Sequence, residues 1–168
     1  MKIGKGVEWA AHACAVLALL PPGAALSRES LADYLGVPPP YLAKQLQALS
    51  RAGLVITQRG AAGGYRLSRD AAQISLWDIT AALEGTTPGF RCTEIRRNGP
   101  CGASLAECPG LCDIAAAFLE AERVYRAALA DVTLTEVVAG ATAVATDDRK
   151  ARIRTWLQAH ATGASAVN

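Results

Sequence analysis

Apolar positions recur at helical spacing over residues 6–20, where Val7, Ala11, Cys14 and Leu17–Ala18 share one face. Pro21-Pro22-Gly23 ends that helix. Ser27 supplies an N-cap for a second helix from Arg28 to Leu35, with Leu31 and Leu35 facing inward and Gly36 closing it. Three prolines follow Val37. Proline fits the first turn of a helix, so a third helix starts at Pro39 or Pro40. Leu42, Leu46 and Leu49 give it one apolar stripe, and Gly53 stops it. The pattern then changes period. Leu54-Val55-Ile56-Thr57 is a β-branched run, Arg59 to Gly64 is a turn, and Tyr65-Arg66-Leu67 alternates as a returning strand. Helix, turn, helix and hairpin in this order predict a winged helix-turn-helix.

Beyond the hairpin the helical period returns. Ser75 with Asp78 forms a capping box for a fourth helix to about Leu83. Residues 85–110 carry no period, and a loop of that length in a small domain is functional or disordered. Leu111 to Asp131 reads as a long Ala-rich helix with Ile114, Phe118, Ala121, Val124–Tyr125 and Ala128–Leu129 on one face. An apolar face that wide needs a partner, most simply the same helix of a second subunit. Thr133 with Glu136 caps a short helix, and Asp147-Asp148 precedes a terminal one carrying Ile153, Trp156 and Leu157. The tail from Thr162 is expected to be disordered. No internal repeat is present. The fold class expected is mainly α with a small β-hairpin wing. The divisions are 1–84, the winged helix-turn-helix domain; 85–112, a cysteine-rich loop; 113–140, the dimerisation helix region; and 141–168, a C-terminal helix and tail.

Composition narrows the class. The 168 residues are 51% hydrophobic with a formal net charge of +2, so the chain folds and is not disordered throughout. The longest apolar stretch, Trp9 to Leu20, is interrupted by His12 and falls short of the roughly 20 residues of a membrane span. No signal-peptide pattern fits either, and a cytoplasmic location is expected. Charge is uneven: residues 1–75 hold 8 basic and 4 acidic groups, whereas residues 76–168 hold 9 basic and 11 acidic. A basic first half suits contact with a polyanion. Enzyme chemistry has no support. There is no nucleophile–base pair and no H-E-x-x-H, and Gly60 to Gly64 lacks the Lys and helix of a phosphate loop.

Five cysteines occur, and Cys92, Cys101, Cys108 and Cys112 fall within one loop. An odd total without a secretion signal argues against a disulfide framework. The spacing is not a zinc pattern, because no C-x-x-C pair and no nearby His is present. Cys108 and Cys112, four apart, are close enough to ligate one iron, and thiolate-rich sites favour zinc or iron–sulfur clusters. Cys14, on an apolar helix face, reads as a buried free thiol.

The segment Tyr41 to Leu49 leading into Ala52-Gly53-Leu54-Val55, the Gly63-Gly64-Tyr65-Arg66-Leu67 return strand and the downstream cysteine loop resemble the Rrf-type bacterial transcription regulators, the IscR/NsrR/RsrR family. The start Val7-Glu8-Trp9-Ala10 with His12, and Cys92-Thr93-Glu94-Ile95-Arg96, look most like that family's redox regulators. The resemblance covers roughly residues 1–130. It implies a homodimeric winged-helix regulator, expected to act as a repressor, with one iron–sulfur cluster per subunit held by the cysteine loop and the partner's first helix. The cysteine spacing departs from family members with three closely spaced cysteines, which leaves the ligand set open.

Glu8 and His12 are four apart on one helical face, and both can ligate iron. Two thiolates, an imidazole and a carboxylate could complete a [2Fe–2S] cluster. The preferred thiolates are Cys108 and Cys112, with Cys92 third and Cys101 a bystander. Replacing thiolate by imidazole raises the potential of a cluster, as in Rieske centres. Trp9, between the two helix ligands, is the expected coupling residue, passing movement of the first helix to the DNA-reading helix. On that reading helix Tyr41, Lys44 and Gln45 lie off the leucine stripe and can face the major groove. Arg51 can reach phosphate, and Arg59 and Arg66 of the wing the minor groove or backbone. The expected target is double-stranded DNA with a palindromic operator. The alternative is a winged-helix regulator without a cluster, switched by thiol oxidation or by a partner protein.

Overall fold

The computed structural model describes residues 3–58 and 63–163. Three helices come first: α1 (Lys5–Leu17), α2 (Arg28–Leu35) and α3 (Pro39–Arg51). Strands β1 (Val55–Gln58) and β2 (Gly64–Leu67) pair antiparallel, with Val55 opposite Leu67 and Ile56 opposite Arg66. Four helices follow: α4 (Leu76–Glu84), α5 (Asp113–Ala130), α6 (Leu134–Val144) and α7 (Asp147–His160). This is the mainly α winged helix-turn-helix with a hairpin wing that the pattern predicts.

Local chemistry sets the boundaries. The Ser27 hydroxyl accepts from the Ser30 amide at 2.9 Å, and Gly36 ends α2 in the left-handed region at φ 63°. Ser75–Asp78 and Thr133–Glu136 both form complete capping boxes. Each satisfies two amides that a helix start leaves without partners. The first helix ends sooner than its composition suggests. After Leu17 the bonds tighten, with Leu19 N–H donating to Val16 O at 3.1 Å and Leu20 N–H to Leu17 O at 3.2 Å. Pro21 has no N–H to continue the ladder, so the last turn closes in the tighter register.

The core lies between α1, α2 and α3. Leu31, Leu42, Leu46 and Leu49 are fully buried against Ala10, Ala13 and Cys14. Each buried leucine contributes roughly 1.5–3 kcal/mol. The wing is tied to this core by a bridge in which Leu26 N–H donates to Tyr65 O at 3.0 Å and Tyr65 N–H to Leu26 O at 2.7 Å. The C-terminal segment joins the same core: Leu134 and Leu157 are buried in it, and Trp156 meets Tyr34 of α2 edge-on at 5.0 Å. Thr162, expected in a disordered tail, instead bridges to Ala25, each amide donating to the other residue's carbonyl at 2.8 Å. Two backbone bonds hold Thr162 in place, and local pattern carries no trace of them; the rest of the expected tail, residues 164–168, lies outside the described residues.

α5 is different. Only Ala115 of its 18 residues is buried. Ile114, Phe118 and Val124 are 63%, 54% and 52% exposed along one face. Tyr125 on that face rests on α4, where it meets Trp77 edge-on, and the Arg126 guanidinium lies 4.9 Å above the Trp77 ring. No helix among the described residues is long and apolar enough to cross a membrane.

Candidate functional site

The second helix of the helix-turn-helix presents a polar face. Its leucine stripe points inward, so Tyr41, 63% exposed, and Lys44 stand on the outside, with Arg51 exposed at its end. Gln45 is half-buried: its amide lies 3.4 Å from Tyr41 O, and its side chain packs where a Cβ on Gly6 of α1 would sit. Arg66 is half-buried on β2, opposite Ile56. Arg59 lies outside the described residues. Trp9 of α1 meets Tyr41 edge-on with ring centroids 6.2 Å apart. The residue read as a coupling element therefore touches a residue read as a DNA contact, a pairing that spacing alone does not reveal.

The cysteine loop is built around Glu94 and Arg96. Glu94 adopts the left-handed conformation, φ 53° and ψ 41°, the one described non-glycine residue to do so. Outside glycine, that region is sparsely populated and is held by surrounding contacts. Here the Glu94 amide donates to Cys92 Sγ at 3.4 Å, and the Cys92 thiol lies 3.6 Å from Glu94 Oε1. Arg96 Nε donates to Glu94 Oε2 at 3.0 Å, and Arg96 Nη2 donates to the Gly110 carbonyl. The Arg96 hydrogen bond holds the Glu94 carboxyl below the usual carboxylate range. Glu94 in turn raises the Arg96 guanidinium, and so do the nearby Cys108 and Cys112 sulfurs. A fixed positive charge thus lies near Cys108 and Cys112, which like Cys92 are half-buried, while Cys101 is exposed. Gly102 has no room for a side chain, because a Cβ there would lie 2.4 Å from Arg97 O.

Glu8 and His12 stand exposed on α1, on the one face that their four-residue spacing gives them. Among the described residues no three of His, Cys, Asp and Glu come together closely enough to hold a metal ion. One chain therefore offers its candidate donors as two separate groups, a thiol loop and a helix face. Cys14 is fully buried in the helical core, away from the cysteine loop, and burial pushes its thiol up to about 12, as a free core thiol would be. Sequence reasoning passed over Glu94 and Arg96 as functional residues. Their signal is the alternation Cys92-x-Glu94-x-Arg96, which places thiol, acid and base on one side of a bent segment.

Comparison with known proteins gives consistent matches. The profile of the Rrf2 family, described as an iron-dependent transcriptional regulator, matches residues 3–140. YffB of Lactococcus lactis, which carries the name of an HTH-type transcriptional regulator, is 31% identical over 82% of this chain and 86% of that protein. YwgB of Bacillus subtilis, named likewise, is 38% identical over 51% of this chain, and the match spans 54% of that protein, about half its length. Among solved structures, T. potens IscR superposes with a TM-score of 0.66 at 24% identity, over 88% of this chain and 93% of its own. The oxidized form of Staphylococcus aureus CymR superposes with a TM-score of 0.61 at 25% identity, over 82% of this chain and 96% of its own.

Proposed function

This chain belongs to the Rrf2 family of transcriptional regulators, and from that premise we propose that it is a homodimeric, redox-responsive DNA-binding repressor carrying a [2Fe–2S] cluster. The DNA surface is α3 with the wing. Tyr41, Lys44 and Gln45 face the major groove, and Arg51, Arg59 and Arg66 take phosphate or the adjacent minor groove. The dimer forms through the exposed apolar face of α5, and its two-fold axis makes the operator palindromic.

The observation that carries the cluster is the donor arrangement. Half-buried Cys108 and Cys112 lie near the Arg96 cation in the loop, while an exposed carboxylate and imidazole share one face of α1. Cys108 and Cys112, with Cys92 as the third candidate, supply sulfur. Glu8 and His12 of a second copy supply oxygen and nitrogen, which accounts for one chain not bringing three donors together. The donor set suits a mixed-ligand [2Fe–2S] centre, which supplies reversible one-electron chemistry when bound. Arg96 offsets the negative charge of the loop and, through Gly110, holds the segment that carries Cys108 and Cys112. Trp9, on the donor helix, passes a shift of α1 to Tyr41.

The test is an anaerobic absorption spectrum of the purified protein with iron and sulfide assays, before and after dithionite. About two irons and two sulfides per subunit, bleaching reversibly, support this reading. Replacing Glu8 and His12 by Ala should then change the spectrum. A second reading rests on the cation near the Cys108 and Cys112 sulfurs, the setting that reactive thiolates share with thiolate ligands. In it the chain is cluster-free and switched by thiol oxidation; an iron-free protein after anaerobic reconstitution selects it.

A further inference from the structure

A groove of about 430 Å³ lies between α1 and α2 on one side and α6 and α7 on the other. Its walls are apolar: Val16, Leu35, Val138, Ala141 and Ile153 all line it. Its rim is basic, with Arg149, Lys150 and Arg154 of α7 and His12 of α1, and no acidic residue lines it. Lys150 lies 3.7 Å from the fully exposed Asp147, and Asp148 is taken by Arg152. Arg149 and Arg154 make no ion pair among the described residues. The basic rim of α7 lies beyond residue 140, where the family match ends, so the groove is closed by this chain's own C-terminal segment.

We propose that this groove binds a small organic carboxylate with an apolar body, the medium-chain acyl type. Its volume falls in the range of small-molecule sites, about 300–1,000 Å³. The charge asymmetry selects an anion, because cations with no acidic neighbour in the site attract negative charge from solution. The apolar walls exclude a bare inorganic anion as the fitting occupant, since it would leave them wetted. Polar groups to read a nucleotide base are few, limited to Tyr34, Thr142 and His12 beside the rim cations. The carboxylate takes the fork of Arg149 or Arg154 at the mouth, and the chain lies along Val16 and Ile153. Val16 belongs to the helix whose Trp9 touches Tyr41, so occupancy bears on the element that leads to the DNA surface. Occupancy of the groove needs no cluster; His12 on its rim is the one residue it shares with the proposed donor set.

Isothermal titration calorimetry of the full chain tests this, with decanoate and with neutral decanol of the same length as probes. The expected result is one saturable decanoate site per chain and about tenfold weaker binding of decanol. The double variant Arg149→Gln/Arg154→Gln should weaken decanoate about tenfold without lowering the melting temperature. Ala141→Trp, which fills the groove, should abolish binding while the circular dichroism spectrum is kept. Absence of saturable decanoate binding overturns the proposal, whether the groove is covered by the chain's own end or by a second copy. So does equal binding of decanol, or unchanged affinity in the arginine variant.

Discussion

The wing depends on a glycine that tolerates no side chain. Gly64 opens β2, and a Cβ built on it would lie 2.5 Å from Leu26 O, 2.7 Å from Leu26 C and 3.1 Å from Leu26 N. The obstacle is backbone, which cannot swing aside as a flexible side chain does. Gly64→Ala must therefore push β2 away from Leu26. Two hydrogen bonds hold that approach, at 3.0 and 2.7 Å, and Leu26 itself is fully buried. Two stretched bonds cost about 1–3 kcal/mol together, and crowding adds about 1 kcal/mol or more, giving about 2–4 kcal/mol. For a chain of this size the melting temperature should fall by roughly 5–15 °C. Gly89→Ala is the control, because a Cβ there meets nothing within 4 Å, and its change should stay within about 0.5 kcal/mol. Thermal denaturation by circular dichroism reads the stability, and fluorescence anisotropy on operator DNA reads the wing. Gly64→Ala should also lose operator affinity, since Arg66 rides on the displaced strand. Equal melting temperatures for the two variants would refute the close-approach argument.

Three further outcomes follow from the geometry. Trp9→Ala removes the edge contact with Tyr41 and should leave the cluster in place while operator affinity ceases to differ between redox states; persistence of the difference in the variant counts against the coupling role. Val124→Glu places a charge on the exposed face of α5 at a residue with no ring partner in its own chain, so sedimentation velocity should show a monomer, and an unchanged dimer moves the interface elsewhere. Cys14 gives a pH signature. Its folded thiol titrates near 12 against an ordinary 9.0, so the neutral form is the one the fold favours. Its contribution is full below pH 9 and is lost as pH rises toward 12. Cys14→Ala should therefore flatten part of the alkaline loss of stability, and urea midpoints measured from pH 8 to 11 that decline identically in both proteins contradict this.

What was legible in the sequence is what short-range chemistry decides. Ser27, Ser75–Asp78 and Thr133–Glu136 mark helix starts because a cap and its target amide lie within three residues. The stripe Leu42, Leu46, Leu49 orients α3 because periodicity alone says which side is wet. Contacts between distant residues left no such trace. Nothing near Thr162 announces its bridge to Ala25, and nothing near Gly6 announces that Gln45 packs on it. Placed off the leucine stripe, Gln45 reads as fully outward, yet its position beside α1 leaves it half-buried. In the cysteine loop the clustering of thiols is visible in composition. The role of Arg96 is not, because it needs the left-handed turn at Glu94 to bring guanidinium and sulfurs together.

In the proposed function the redox state of the protein sets its grip on DNA. The direct measurement is operator affinity of one anaerobic preparation, measured before and after one-electron reduction, on a palindromic duplex selected by the protein from a random library. Affinity should differ by about tenfold or more between the two states, return on reoxidation, and fall steeply with salt in both. Equal affinity in the two states, with the cluster intact by its absorption, would contradict the account.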